Sequence, residues 1–304
     1  MSTAISIPPR RYSLLAFFLL AFVISWICWV PAAAASWGVF PWQLPPVLTG
    51  LFGAFGPSLA AIILTITIDG APGLSRLLWR LLWWRAGIQW YAFVLVFPAA
   101  ISLATSALYI SFGGAAPDFA DPPVLHLYPL PPELSGVGPW TLLPFVFLQT
   151  LLFSSPMGEE IGWRGYALPR LQASRSALWA SVILGLLWGL WHLPLFLIPS
   201  WDTPHGSLLD VALFVTWAVS ITIVFTWVFN NTKGSVLLAI LVHGSINSAA
   251  VAVYGLFPAP AVTDGIANVV IGFGVVALLI VALTRGRLGY RREESVVAGN
   301  ERKM

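Results

Sequence analysis

The stretch Ser13–Val30, SLLAFFLLAFVISWICWV, runs for eighteen residues without a charge, and Arg10 and Arg11 stand just before it. A hydrocarbon core about 30 Å thick takes about 20 helical residues to cross, so this run reads as a membrane span. It is longer than the roughly 7–15 apolar residues of a secretory signal. Although Ala32–Ser36 supplies small residues suited to cleavage, an uncleaved first helix is the expectation. Comparable apolar stretches follow, and spans are predicted near residues 12–34, 47–68, 90–112, 139–158, 177–199, 208–230, 234–257 and 266–284. Each must be helical, because lipid offers no partner to exposed backbone groups, and nothing alternates at period two as a barrel strand does. The predicted fold is therefore all-α: a polytopic bundle of about eight transmembrane helices forming a single integral domain over residues 1–304.

Composition agrees, since 58% hydrophobic and 9% charged residues exclude a soluble globular domain of this length. The charges test the topology independently. With the N-terminus cytoplasmic, all fifteen Lys and Arg fall in inner segments. The outer connections near 35–46, 113–138, 200–207 and 258–265 hold none and carry Asp118, Asp121, Glu133, Asp202 and Asp264 instead. This asymmetry predicts both termini on the cytoplasmic side. A net charge of +3 then reflects topology and contact with anionic lipid, and no nucleic-acid partner is expected.

There is no internal repeat and no soluble domain. Leu74–Arg85, with Arg76, Arg80 and Trp84, suits a short helix in the inner interface. Gly113–Gly138 is proline-rich and without apolar period, which predicts an irregular outer loop holding a solvated His126; His205 reads the same way in the next outer loop. The single cysteine, Cys28, allows no intrachain disulfide and reads as a packing residue. The 16 Trp and 19 Phe report interfacial belts and lipid-facing packing.

Function concentrates where ionisable residues are expensive to keep, on or beside membrane helices. The first such motif, Gly158-Glu159-Glu160-Ile161-Gly162-Trp163-Arg164-Gly165, closes the predicted fourth span at its inner end. On a helix Glu160 and Arg164 share a face and can pair, while Glu159 points about 100° away and is free to work as a base. Ordinary charges at a solvated helix end would look the same. The second, Trp188-Gly189-Leu190-Trp191-His192-Leu193-Pro194, sets a histidine inside the fifth span, where a packed core histidine is the plainer reading. The third, His243-Gly244-Ser245-Ile246-Asn247, places His243 and Asn247 on one helical face; they can hold a water, a metal or a carbonyl oxygen, or bond across helices. A carboxylate, two imidazoles and a carboxamide on separate helices are what water activation and oxyanion stabilisation require.

In order and setting, Glu-Glu-x-x-x-Arg, aromatic-x-x-x-His and His-x-x-x-Asn resemble the CPBP family, which comprises type II CAAX prenyl endopeptidases and related bacteriocin-processing and immunity proteins. The resemblance covers Pro139–Leu256, a CAAX-protease-like core over 139–256. It implies an intramembrane endopeptidase acting on a membrane-associated peptide or protein, the prenylated CAAX type among them. In such an enzyme Glu159 would activate the water, Glu160 with Arg164 would orient it, and His192 would share the water. His243 and Asn247 would bind the water or polarise the scissile carbonyl. The family usually has phenylalanine where this chain has Trp188, a change that keeps an aromatic wall. Members have been described both as metalloproteases and as metal-free glutamate proteases, and the plasma membrane of a prokaryote is the location implied.

Chemistry leaves both mechanisms open. Glu159, His192 and His243 could form a zinc shell with one open position, although His-Glu-x-x-His is absent; a metal-free Glu-His pair in an apolar setting is the other course. Ser154, Ser155 and Ser245 lack a Gly-x-Ser-x-Gly elbow, and no lysine lies within a span to serve as their base. The expected enzyme has a water-filled cavity opening toward the cytoplasm. A non-catalytic immunity or scaffold protein and a proton-coupled transporter are the alternatives. Depth is the difficulty: counted along these spans, Glu159 sits near the inner face while His192 lies about 22 Å in.

Overall fold

A computed structural model describes residues 10–41, 45, 48–123, 141, 144, 145, 148, 155–198 and 207–290. Among the described residues there is no strand. Seven helices are long and apolar enough to cross a membrane: Ser13–Ser36, Gly56–Leu82, Ile88–Ser111, Ala177–Leu197, Leu208–Asn231, Val236–Tyr254 and Ala267–Thr284. Each falls on a predicted span. The remaining prediction, 139–158, lies mostly outside the described residues, as do His126, Glu133, Asp202 and His205.

The helices begin and bend where the sequence supplies the chemistry. α1 (Arg10–Ser36) buries Phe17, Ala21, Ser25, Trp29 and Ala33 and leaves Leu15, Leu19, Val23 and Ile27 outward, so one four-residue stripe packs and another faces lipid. α2 (Gly56–Leu64) lies against α1, with Gly56 so close to Ser25 and the Ala21 carbonyl that a Cβ there would collide. It passes through a π-helical turn (Thr65–Asp69) into α3 (Gly70–Leu82). Gly70 takes φ 63° between them, a left-handed conformation that glycine adopts without strain and that turns the chain into α3. α3 begins four residues before the expected interfacial helix and ends at Leu82, so Trp84 and Arg85 lie beyond it. Its Arg76 is exposed, while Arg80 donates to the Gly165 carbonyl at 3.2 Å, bracing α3 against the segment that follows the paired glutamates.

α4 (Ile88–Ser111) packs on the later helices Val236–Ala249 and Ala259–Thr284. Next described are α5 (Pro156–Glu160), a seven-residue π-helical segment (Ile161–Ala167) and α6 (Leu168–Gln172), which form one continuous helical run. α7 (Ala177–Trp191) starts at Ser176, whose hydroxyl accepts from Trp179 N, and ends in a 3-10 turn (Leu193–Leu197). α8 (Leu208–Asn231) starts at a reciprocal cap between Ser207 and Asp210. Lys233 and Gly234, both at positive φ, turn the chain into α9 (Val236–Ala249), capped by Ser235. A π-helical turn (Ala250–Tyr254) and α10 (Ala259–Thr284) complete the described bundle, in which α8 packs against both α7 and α10.

One expectation changes here. The sequence suggests that the fourth span stops at the inner face beside Glu159, yet the helical run continues through Gln172. Glu160 is therefore twelve residues, about 18 Å, from the turn before α7. The charges that made this look like a helix end are buried and mutually neutralising, as described below. Counted the same way, His243 lies about 11 Å along α9 and His192 about 22 Å along α7. These depths bracket the middle of a hydrocarbon core about 30 Å thick.

Candidate active site

Two pairs of glycines bring the functional helices together. A Cβ on Gly158 would sit 2.8 Å from the Ala54 carbonyl oxygen, and one on Gly162 would collide with the Pro57 carbonyl. The helical run 156–172 therefore lies directly on the backbone of α2, and Ser58 adds a hydrogen bond to the Met157 carbonyl at 3.1 Å. On α7, a Cβ on Gly185 would sit 2.6 Å from Val219 Cα, and Gly189 packs on Val215. Small residues four apart allow this close approach of helices.

This packing points the two glutamates at different partners. Glu160 is fully buried, and its Oε1 accepts from Arg164 Nη1 at 2.8 Å and from His243 Nδ1 at 2.7 Å. The i,i+4 pairing expected from sequence is present, and it forms across the start of the π-helical segment. Arg164 is also fully buried. Its guanidinium lies 4.8 Å from the Trp188 ring centroid and 4.1 Å from that of Phe225, and its Nη2 donates to Thr222 Oγ1 at 3.3 Å. A cation away from water is held here by one carboxylate, one hydroxyl and two aromatic faces.

Glu159, 2% exposed, has a different environment. Its Oε2 accepts from the Trp188 indole Nε1 at 2.6 Å. His192 turns Nδ1 to the Trp188 backbone carbonyl at 2.8 Å. A carbonyl only accepts, so Nδ1 carries the proton and, in the neutral ring, Nε2 carries the lone pair. The same reasoning applies to His243, whose Nδ1 donates to the Glu160 carboxylate. Both imidazoles are thus oriented through Nδ1, the arrangement in which a second partner fixes the tautomer of a working histidine. The Trp188 ring stands edge-on to both, with centroids 5.6 Å from His192 and 5.5 Å from His243. Asn247 lies one turn beyond His243 on α9, half-buried.

Of the six residues singled out in the sequence, Glu159, Glu160, Arg164, His192 and His243 thus gather on three helical segments around one buried tryptophan, and Asn247 follows one turn beyond His243. Among the described residues, no group of three His, Cys, Asp or Glu side chains is arranged to hold a metal ion. Glu159, His192 and His243 share this centre, but as placed they do not converge as a three-ligand shell.

Sequence reasoning missed three contributors. Trp188 was an aromatic wall, whereas its N–H bonds Glu159. Thr222 and Phe225, both fully buried on α8, complete the cradle of Arg164. Hydroxyls four apart in an apolar helix, Thr222 and Thr226, were the available signal; Thr226 in turn accepts from Ser181 at 2.7 Å and ties α8 to α7. Nearby, an apolar cleft of about 460 Å³ is lined by Trp26, Val30, Ala34 and Trp37 of and just beyond α1 and by Leu193 and Leu197. It starts one residue after His192, and α1 is tied to that point by a hydrogen bond from Trp26 Nε1 to the Trp191 carbonyl at 2.9 Å.

Residues 139–249 match the family model described as Type II CAAX prenyl endopeptidase Rce1-like. All three motifs fall within that range. The chain is also 26% identical over 246 residues to CAAX prenyl protease 2 of Methanococcus maripaludis, an alignment that covers 78% of this chain and 83% of that protein.

Proposed function

We propose that the chain is an intramembrane endopeptidase of the CPBP family, on its likeness to the Rce1-like family model and to the archaeal CAAX prenyl protease 2, and that it hydrolyses a peptide bond of a membrane-associated substrate with a water activated by Glu159 and His192. The observation that carries the reading is the division of labour between adjacent carboxylates. Glu160 Oε1 is shared by a guanidinium and an imidazole, while among the described residues Glu159 accepts from one neutral donor, the Trp188 indole. A carboxylate with one oxygen fixed and no cation bonded to it is suited to take a proton.

In this mechanism a water lies between Glu159 Oε1 and His192 Nε2. Glu159 removes a proton as the water oxygen attacks the scissile carbonyl carbon. His243, anchored on Glu160, and Asn247 form the wall toward which the carbonyl oxygen turns, and the Asn247 amide N–H donates to the oxyanion as it develops. Protonated Glu159 then gives its proton to the leaving nitrogen as the C–N bond breaks, which restores the carboxylate. No step passes through a metal, because the donors present do not converge as a metal shell.

We extend the proposal to substrates carrying a hydrocarbon chain. The cleft beside His192 offers apolar volume within reach of the imidazole, and the archaeal relative is by name a prenyl protease. We infer from the distribution of basic residues that both termini lie on the cytoplasmic side; the cleft, lined by Trp37 and Leu197 at the far ends of α1 and of the turn after α7, then opens in the outer half of the bilayer. The test is cleavage of quenched peptides, unmodified, farnesylated and geranylgeranylated, by purified protein in nanodiscs with and without a chelator. Turnover lost in Glu159→Ala and His192→Ala and indifferent to the chelator is expected. Turnover abolished by the chelator and restored by zinc would overturn the metal-free step, and a well-folded wild type that cleaves none of the peptides would point to immunity or transport instead.

A further inference from the structure

Trp188 joins the two halves of the site through two different groups of one residue. Its side chain donates to Glu159 Oε2 at 2.6 Å, and its backbone carbonyl accepts from His192 Nδ1 at 2.8 Å. The residue is 1% exposed, with the Arg164 guanidinium over its ring at 4.8 Å and with Phe225 and Trp217 packed beside it at centroid distances of 6.1 and 6.2 Å. A side chain so enclosed is confined by its neighbours. Its N–H is therefore a fixed point in the site and is aimed at one carboxylate oxygen.

A carboxylate on a Glu side chain turns freely about its last torsion, which is broad and roughly two-fold. Held only at its Cγ, Glu159 would present either oxygen to water, or swing toward the Arg164 guanidinium that already neutralises Glu160. We propose that the Trp188 indole N–H is a positioning group for the reaction: it pins Glu159 Oε2, keeps this carboxylate apart from Arg164, and turns Oε1 toward the water shared with His192. The proposal rests on the reading of Glu159 as the base. It assigns to the indole nitrogen a role that a phenyl ring in the same slot cannot fill, because the ring keeps the packing and lacks the donor. The backbone bond to His192 survives any substitution at this position, so the side-chain role can be separated from the tethering of the imidazole.

Trp188→Phe is the discriminating variant, measured by peptide cleavage kinetics, thermal unfolding and its combination with Glu159→Gln. The expected result is a fall in kcat of about 10- to 100-fold, the usual effect of losing a group that orients a working residue. KM should stay within about twofold and the unfolding temperature near that of wild type, since the packing is retained. In the Glu159→Gln background the same substitution is expected to cost little more, because the group it positions is already gone. An unchanged kcat, or a loss that simply adds to that of Glu159→Gln, would overturn the role of Trp188 while wild-type turnover leaves the endopeptidase reading standing. Absence of wild-type turnover overturns both. Should Trp188→Phe not fold, ¹⁵N-indole NMR decides in the intact protein. One indole proton should resonate far downfield in wild type and move upfield in Glu159→Gln, and a spectrum in which no indole signal responds to Glu159→Gln contradicts the proposal.

Discussion

Glu159 and Glu160 are neighbours in sequence and equally removed from water, yet they have opposite surroundings. Glu160 meets Arg164 and His243 through one oxygen, in a knot of side chains that joins the 156–172 run to α9. Glu159 meets the indole of Trp188 on α7. On the proposed reading, the difference shows how a membrane protein can keep two carboxylates in its interior: one is tied to a cation and carries the structure, and the other, with a neutral partner, is the one assigned the chemistry. The helical rotation between consecutive residues is enough to make the division.

The comparison can be broken hardest at Arg164. Arg164→Ala leaves the fully buried Glu160 with His243 but without its counter-charge, and breaking a buried ion pair in this way costs about 3–5 kcal/mol. We expect a large drop in unfolding temperature in detergent together with loss of activity. Glu159→Gln should do the reverse, with kcat falling by about 10²–10⁴-fold, the contribution of a positioned general base, while thermal unfolding changes little. Gly162→Ala tests how the glutamates come to point as they do. Its Cβ would collide with the Pro57 carbonyl, and an overpacked contact of this kind costs about 1–3 kcal/mol. Stability and turnover should fall together, whereas Gly50→Ala, with nothing within 4 Å and no positive φ, should leave turnover unchanged. The smallest effect is sought in the cleft: Ala34→Trp should raise KM a few-fold for lipid-modified peptides and leave unmodified ones unaffected, as expected of lost uniform binding.

Much of the fold was legible in the sequence because lipid removes the alternatives. With no water to satisfy the backbone, long apolar runs must be helices; six of the predicted spans recur within a few residues, and the second is displaced toward the C-terminus, Gly56–Leu82 against 47–68. The sequence marked Glu159, Glu160, Arg164, His192 and His243 because ionisable groups in such helices persist only where they are used or paired, and the structure gathers these five in one buried cluster. The errors share a cause. Ending the fourth span at Glu159 treated Glu159, Glu160 and Arg164 as solvated, whereas hydropathy counts charges singly and cannot see that Glu160 and Arg164 cancel. The π-helical widening of 161–167 has no signature in apolar periodicity, and without it Glu159 was placed near the inner face, apart from His192. Trp188 was read by its size; its donor became visible only once the carboxylate stood opposite it. Gly158/Gly162 and Gly185/Gly189 were present as four-residue spacings, but which backbone they would meet depends on how the helices pack.

The most direct test compares Glu159→Gln with Glu160→Gln, measuring cleavage of a quenched lipid-modified peptide and thermal unfolding for both beside wild type. Glu159→Gln should abolish turnover at nearly unchanged stability, and Glu160→Gln should lower the unfolding temperature markedly by leaving Arg164 buried without its counter-charge. Equal effects of the two substitutions on both quantities, or turnover that survives Glu159→Gln, would contradict the division of roles between the adjacent carboxylates.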